Sequence, residues 1–412
     1  MGFIYNIVVH LVYFVLKIIA LFNTKINRFI QGRKESFQKL RDIKSTDKVL
    51  WFHAASLGEF EQARPIIEIV KKEYSSYKIV ITFFSPSGYE IRKNYPHADV
   101  ICYLPFDTKS NMKKMVTLLK PEMVFIIKYE FWPNLLDQLK QQQITTILIS
   151  GIFRKNHSFF KWYGAFMRKK LHAFNDFFVQ NDTSKNLLNA IKFNNVTKSG
   201  DTRFDRVYNI VQQNNQLEFI NEFKNGAYTV IAGSTWPEDE KLIVNYINNN
   251  ADTDEKFIIA PHTIQPNKIQ ELKNAISKNT ILLSEKNTTS LRTFQVLIID
   301  TIGMLTKIYS YADIAYIGGG LKTGLHNILE PAAFEIPVIF GGNKYQKFQE
   351  AIDLLKLNGA KIIKNNQELN HSFTALKANQ KLRISMGKTN ADYIKNNTGA
   401  TQTILKYIKN NL

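Results

Sequence analysis

Cysteine is nearly absent from this chain of 412 residues: Cys102 stands alone, which excludes an internal disulfide and any cysteine-based zinc site. The run around it, "ADVICYLPFD", reads as a buried strand. Histidine shows no HExxH or comparable ligand spacing, and neither a P-loop nor a GxGxxG fingerprint occurs, which argues against zinc, ATPase and ordinary NAD chemistry. Tandem repeats and low-complexity tails are missing as well. Acidic residues are few, 35 against 54 Lys and Arg, so the formal net charge is +19. Such an excess implies an anionic partner: nucleic acid, an anionic membrane surface or a phosphorylated substrate. A cleaved signal peptide is not indicated, because no basic segment precedes the first apolar run and no small-residue cleavage site follows it.

That apolar run extends from Phe3 to Phe22 and is broken only by Asn6, His10 and Lys17. A spanning helix needs about 20 such residues, and the polar breaks also permit a helix lying in the interface. Lys25, Arg28, Arg33 and Lys34 follow. Positive flanks stay on the cytoplasmic side, so the remainder of the chain is expected there, held at the membrane by residues 1–34.

Beyond the anchor, short apolar runs alternate with amphipathic ones. "KVLWFHAA", "YKIVITFF", "ADVICYL", "EMVFIIK" and "TTILIS" form one series of expected strands, and "YTVIAGS", "KFIIAPH", "TILLSE", "VLIID", "IAYIGG" and "IPVIFGG" a second. The alternation predicts α/β architecture with mostly parallel sheets, in two Rossmann-like doubly wound domains over 35–210 and 211–385, facing a cleft. The polar stretch near residues 207–226 is the expected linker region, and the helical segment 386–412 is a candidate to cross back to the first domain.

In "HAASLGEFEQARPII", Ala63, Ile66, Ile67 and Val70 recur at helical spacing, so a helix begins near Gly58 with Glu59 in its first turn. An acid there complements the helix dipole, or serves as a catalytic base on a cleft floor. In the second half, Gly318, Gly319 and Gly320 end a strand, and the next loop carries Gly324, His326 and Asn327 before a helix holding Glu330. Glycines after a strand let a phosphate approach the backbone, and a helix start offers it free N–H groups, without a metal. Glu330 either accepts from ribose hydroxyls or complements the dipole, and Asn327 is also a natural helix N-cap. A DxD-like triplet, Asp252 to Asp254, lies in a polar turn and is not read as a metal site.

Six ordered blocks carry a resemblance: "HAASLGE", "EFWPN", "GDTRFD", "AGST", "DTIGML" and "GLHNILEPAA". With them the chain resembles, over nearly its whole length, the Kdo transferases, membrane-anchored inverting glycosyltransferases that move 3-deoxy-D-manno-octulosonic acid (Kdo) from CMP-Kdo onto a lipid A precursor. The resemblance implies a GT-B fold, with CMP-Kdo bound mainly by the second domain and the phosphorylated, acylated acceptor by the first. It implies Glu59 as general base and no metal or other cofactor. On the donor side it implies Gly233, Ser234, Thr235, His262, Gly319, Gly320, Gly324, His326, Asn327 and Glu330. On the acceptor side it implies Ser56, Gly58, Arg64, Glu130 and Arg203. Placement on the cytoplasmic face of the inner membrane follows from it, with no nucleic-acid partner.

A base at a helix start is favoured in its ionised form, which weakens it and leaves positioning to supply much of the rate. The sequence departs from the family pattern in four places, one of them the arginine-bearing block after the fifth strand, which reads "SGIFRK". Lys128 replaces an acid two residues before Glu130, Trp236 stands where histidine is common, and "APHTIQP" keeps His262 but lacks an arginine. The segment 153–174 interleaves Arg154, Lys155, Lys161, Arg168, Lys169 and Lys170 with aromatics. It suits anionic lipid beside an anchor, single strands of nucleic acid, or simply a solvated helix with one packed face. Two other readings stay open: another nucleotide-sugar transferase or epimerase of the same fold, and a basic membrane-tethered binding protein.

Overall fold

The computed structural model describes residues 1–286 and 290–412, except for the side chain of Lys25, so that part of the expected basic flank lies outside the described residues. The chain divides into two compact units, Met1–Asp205 with Asn397–Leu412, and Arg206–Asn396.

The first unit holds β1 (Lys48–Ala54), β2 (Tyr77–Phe83), β3 (Val100–Tyr103), β4 (Met123–Ile127), β5 (Thr145–Gly151), β6 (Asp176–Val179) and β7 (Val196–Lys198). They pair in parallel in the order β3-β2-β1-β4-β5-β6-β7. Both faces are covered, as a parallel sheet requires: Val49 and Trp51 of β1 enter one apolar cluster, while Leu50, Phe52 and Ala54 enter another. Cys102 is a buried residue of β3, as its apolar run implies.

The second unit repeats the plan with β8 (Tyr228–Thr235), β9 (Glu255–Pro261), β10 (Thr280–Leu282), β11 (Val296–Ile298), β12 (Ile314–Ile317), β13 (Val338–Gly341) and β14 (Ala360–Ile363). Their order is β10-β11-β9-β8-β12-β13-β14. In the first sheet the chain winds outward from β1 through β2 and β3 and then the other way from β4. In the second it passes from β8 to β9, goes out to the edge at β10, returns to β11 between β10 and β9, and then crosses to β12, so one switch point lies between β1 and β4 and another between β8 and β12. Ligands of doubly wound sheets bind outside the carboxyl ends of strands at such points.

The polar stretch expected as a linker is largely helical. Thr202–Val211 and Glu218–Lys224 occupy most of it, and the boundary between units falls inside the first of these helices. The closing helix Ala400–Asn411 packs Ile404 and Ile408 into the first unit's core with Phe60 and Ile67. Its start is capped from outside by buried Asp205, which accepts from the backbone N–H groups of Gly399 (2.6 Å) and Thr401 (2.7 Å) and from the Thr401 hydroxyl (2.8 Å).

The N-terminal helix Gly2–Ile19 is long and apolar enough to cross a membrane, and none of it is buried. It nevertheless rests on the first unit along much of its length. Tyr5 donates to Asp107 (2.7 Å), Asn6 accepts from Asn134 (3.0 Å), and Tyr13 packs on Phe106 (4.6 Å between rings). Arg33, expected in the basic flank, is instead buried. Its guanidinium lies 3.6 Å from the Phe29 ring and donates to the carbonyls of Phe29 and Phe84, because a weakly hydrated planar cation suits an aromatic site.

Asp205→Ala removes three hydrogen bonds to one buried carboxylate and is expected to cost roughly 3 kcal/mol. Urea unfolding should show the loss, and limited proteolysis should release the C-terminal helix early. An unchanged midpoint would count against this cap.

Candidate active site

In the first unit the chain leaves β1 at Ala54 and, after the two residues Ala55 and Ser56, enters the helix Leu57–Glu73. Glu59 lies in the first turn and is only 6% exposed. Its carboxylate does not bond the free N–H groups of that turn but folds back to accept from Ala55 N–H at 2.6 Å. Across the switch point, β4 ends at Ile127 and Lys128 takes a left-handed conformation (φ 67°), which swings Lys128 and Glu130 toward the same end of the sheet. Glu130 Oε2 stands 3.4 Å from Nε2 of buried His53 and accepts from the Trp132 indole at 2.9 Å. His53 is held from behind by Thr82, whose hydroxyl lies 2.9 Å from Nδ1 and itself accepts from Trp51 at 2.8 Å.

The acidity of Glu59 departs from the expectation drawn from its helix position. Burial, reinforced by the negative charge of Glu130, pushes its pKa up to about 6, against the opposing pull of the Ala55 N–H, Lys128 and His53. Desolvation outweighs the dipole, so Glu59 is a stronger base than a first-turn acid on an open surface.

One turn along the same helix, Gln62 donates to buried Asp201 at 3.1 Å, and Asp201 grips Arg203 through Nε (2.9 Å) and Nη2 (2.8 Å). Burial alone would raise the Asp201 pKa, but Arg203 holds it below the ordinary value. Of the residues expected on the acceptor side, Ser56 occupies the N-cap position without a side-chain cap bond, and a Cβ on Gly58 would meet nothing within 4 Å. Both therefore leave the helix start open. Arg64 is turned elsewhere, ion-paired with Glu68 (2.7 Å) and Glu61 (3.6 Å) along its own helix, because five residues of helical rotation carry it away from Glu59. His53, Gln62, Lys128 and Asp201 were not singled out as site residues from sequence. His53 and Asp201 do sit inside the quoted blocks, which was the available signal.

In the second unit the two sides of the switch point meet through Asp239. This buried carboxylate accepts from Trp236 N–H (3.0 Å), Gly319 N–H (2.9 Å) and the Tyr316 hydroxyl (2.8 Å), and burial raises its pKa. Gly319 therefore gives its N–H to protein and not to an incoming phosphate. Its φ of 90° and its closeness to Gly324 O explain the glycine, while a Cβ on Gly320 would lie 2.1 Å from Gly341 O. Gly324 also has positive φ but faces open space.

Gly233 is required by packing, since a Cβ there would lie 1.8 Å from the Tyr309 hydroxyl oxygen. Ser234 takes φ 54°, and Thr235 is buried with its hydroxyl donating to Glu240 (3.0 Å). His262 and His326 come together as stacked rings 4.5 Å apart. Asn327 acts locally: Oδ1 accepts from Leu329 N–H and Nδ2 donates to Glu330. Both oxygens of Glu330 are engaged, by Asn327 (3.0 Å) and by the Thr306 hydroxyl (2.8 Å). The helix that follows is only Leu329–Ala333, so the expected dipole at its start is small.

Asp252, Asp254 and Glu255 bring carboxylate oxygens within 4.8 Å of one another, yet Lys377 Nζ already bonds all three at 2.6, 2.8 and 3.0 Å. A divalent ion would have to displace that ammonium.

A carboxyl group whose pKa is about 6 in the fold and 4.5 outside it binds its proton more tightly in the native protein. Its favourable contribution is whole below pH 4.5 and is lost as pH rises through about 6. Glu59→Gln keeps an oxygen for the Ala55 N–H and removes the buried charge, so at pH 8 it is expected to stabilise the protein by about 2 kcal/mol. Thermal unfolding at pH 8 and near pH 4.5 measures this, and the gain should vanish at the lower pH.

Residues 31–206 match the family model for 3-deoxy-D-manno-octulosonic-acid transferase (kdotransferase). The chain is 27% identical over 350 residues to a bifunctional glycosyltransferase/methyltransferase of Fusobacterium nucleatum, a match covering 81% of this chain and 52% of that longer protein. It is 26% identical over 373 residues to the 3-deoxy-D-manno-octulosonic acid transferase of Rickettsia typhi, covering 88% of this chain and 79% of the relative. Among solved structures, the UDP-GlcNAc 2-epimerase of Neisseria meningitidis superposes with a TM-score of 0.62 at 17% identity, covering 88% of this chain and all of that one, which speaks for the fold alone. With two Rossmann-like units of the GT-B kind, the chain is similar to the Kdo transferases, through the family model over its first unit and through relatives over most of its length.

Proposed function

We propose that the protein is an inverting glycosyltransferase that moves Kdo from CMP-Kdo to a phosphorylated, acylated lipid A precursor, with Glu59 as general base. The observation that carries this reading is the Glu59 carboxylate at the β1–β4 switch point, aimed by the Ala55 N–H and raised to about 6. At neutral pH most of it is ionised, yet it is basic enough to take a proton. In the proposed step an acceptor hydroxyl attacks the anomeric carbon from the face opposite the leaving group. Its proton passes to Glu59 as the bond to the CMP phosphate breaks, and CMP departs with that electron pair. Lys128 and Arg203 bring positive charge to the same strand ends and suit acceptor phosphates or the sugar carboxylate. Beside Glu130, an open groove lined by Tyr129, Phe131, Arg154 and His157 offers apolar and basic contacts to an amphipathic acceptor. The donor is assigned to the second unit at the β8–β12 switch point, and no metal is invoked for the leaving phosphate.

The same reading places the protein at the inner membrane, with both units on the cytoplasmic side. The docked geometry of Gly2–Ile19 favours a helix lying in the interface over one that spans. Tyr5, Asn6 and Tyr13 face the first unit, while Phe3, Leu11 and Phe14 on other faces are 79%, 60% and 61% exposed. Trp162 is 91% exposed, and its near neighbour Phe166 touches Tyr5, so an aromatic of the interfacial kind stands beside the anchor.

The transfer reaction is tested by incubating the full chain with CMP-Kdo and tetraacylated lipid A precursor and weighing the product. An acceptor without added Kdo would return the choice to another GT-B activity such as epimerisation. Glu59→Gln should lower turnover by about 10²- to 10⁴-fold and spare CMP binding. In the wild type, activity should fall as pH drops through about 6, as Glu59 takes up its proton. Lys128→Met should move that midpoint upward, since Lys128 favours the ionised form.

For the anchor, replacing Phe3, Leu11 and Phe14 together by glutamine should release the protein from anionic phospholipid vesicles in flotation. Retained binding would remove the in-plane reading.

A further inference from the structure

Just past the end of β8, the Trp236 indole N–H points at Nε2 of His326, 2.9 Å away. His262 packs on both rings, with centroids 4.7 Å from the indole and 4.5 Å from the His326 imidazole and planes 24° and 29° apart. An indole nitrogen can only donate. Nε2 of His326 must therefore accept, so it carries no proton, and the single proton of the ring sits on Nδ1. A doubly protonated ring would set N–H against N–H.

We propose that Trp236 is a positioning residue that locks His326 as the neutral Nδ1–H tautomer, so that this corner of the second unit meets a nucleotide phosphate as a neutral hydrogen-bond donor and not as a cation. The ligand half of this proposal rests on the assignment of the CMP-sugar to this unit. The groups around the ring agree with neutrality. His262, from the loop after β9, is another imidazole whose pKa burial lowers. The glycine loop presents main chain, with His326 N–H donating to Gly318 O at 3.2 Å. Asp239, the nearest buried acid, is filled by Trp236 N–H, Gly319 N–H and Tyr316. Lys322 is paired with Glu238 at 2.6 Å, and Glu330 is held by Asn327 and Thr306. No carboxylate is thus directed at the imidazole among the described residues. Burial and the neighbouring His262 push the His326 pKa down to about 4, the same direction that the hydrogen bond requires. Nδ1 has no partner among the described residues, which leaves its proton for a ligand oxygen. Such a donor recognises phosphate with constant strength through the range near pH 6.5 where an ordinary histidine changes charge.

The test is long-range proton–nitrogen NMR on the full chain with ¹⁵N-labelled histidine, the His326 ring being assigned by its absence in His326→Gln. In the wild type that ring should show the neutral Nδ1–H pattern from pH 8 to pH 5.5 without titrating. In Trp236→Phe, which keeps an aromatic face and loses the donor, it should become a mixture of tautomers, with its midpoint raised by about one pH unit or more toward the ordinary value. An imidazolium at pH 6 or an Nε2–H tautomer in the wild type would overturn the proposal, and so would an unchanged tautomer in Trp236→Phe. Addition of CMP should shift the Nδ1 resonance, and saturation with CMP without such a shift overturns the phosphate contact. The tautomer is read by spectroscopy, so its failure is distinct from a failure to detect Kdo transfer.

Discussion

The first unit's candidate site depends on holding one carboxylate, Glu59, where burial disfavours its charge. Left alone, a desolvated glutamate would simply stay protonated at neutral pH. The Ala55 N–H, Lys128 and His53 each draw the balance back toward the ionised form, and Glu130 pushes it the other way. These groups come from β1, from the turn after it and from the loop after β4, and only the parallel pairing of β1 with β4 makes them neighbours. The left-handed backbone at Lys128 belongs to the same arrangement. A lysine there carries a small conformational cost, of order 1 kcal/mol, and the cost is tolerated because the turn delivers both Lys128 and Glu130 to the strand ends.

The second unit handles charge differently. At its switch point the loop N–H groups of Gly318, Gly319, Gly324 and His326 bond protein oxygens, and the buried acid Asp239 serves the protein itself. Asp239 ties the start of the helix Pro237–Asn249 to the glycine loop, so the geometry of the loop is set before any ligand arrives. His326, held neutral by Trp236, fits that scheme. In a reaction whose leaving group gains negative charge, preorganised N–H donors stabilise the product side without binding the departing anion as tightly as fixed cations would.

Much of the fold was legible because parallel strands buried on both faces are written as unbroken runs of β-branched and aromatic residues, as in "VLWFHA" and "FIIAP". Three strands escaped that reading. β7 and β14 are short and carry lysine, and β6 opens with an aspartate, so local composition gave them little contrast with loops. The site was legible as positions but not as environments. Glu59 could be placed at a helix start from apolar spacing, but its basicity is decided in part by Glu130 and Lys128, about 70 residues away and adjacent only through the sheet. Arg64 lies within the helix that carries Glu59, yet it points along another face to Glu61 and Glu68. Gly233 and Thr235 occur in a recognisable block, and the structure gives them packing and internal hydrogen bonding. Sequence proximity does not distinguish a residue that meets a ligand from one that supports its neighbour.

The excess of basic residues is also less a surface property than the count suggests. Arg33 is buried among Phe29, Phe84 and Phe106, Arg168 donates to the carbonyls of Phe159 and Lys161, and Lys170 is spent on Asp137. What stays exposed in that basic segment is Arg154, Lys155 and Lys169, with Trp162 and Tyr163 between them. A few cations around an exposed indole, next to a docked apolar helix, suit the interfacial anchor proposed above, in which apolar insertion would supply the hold and charge would select an anionic surface. Nucleic acid would instead call for a longer basic track, and burying arginine under aromatic rings removes charge from any such track.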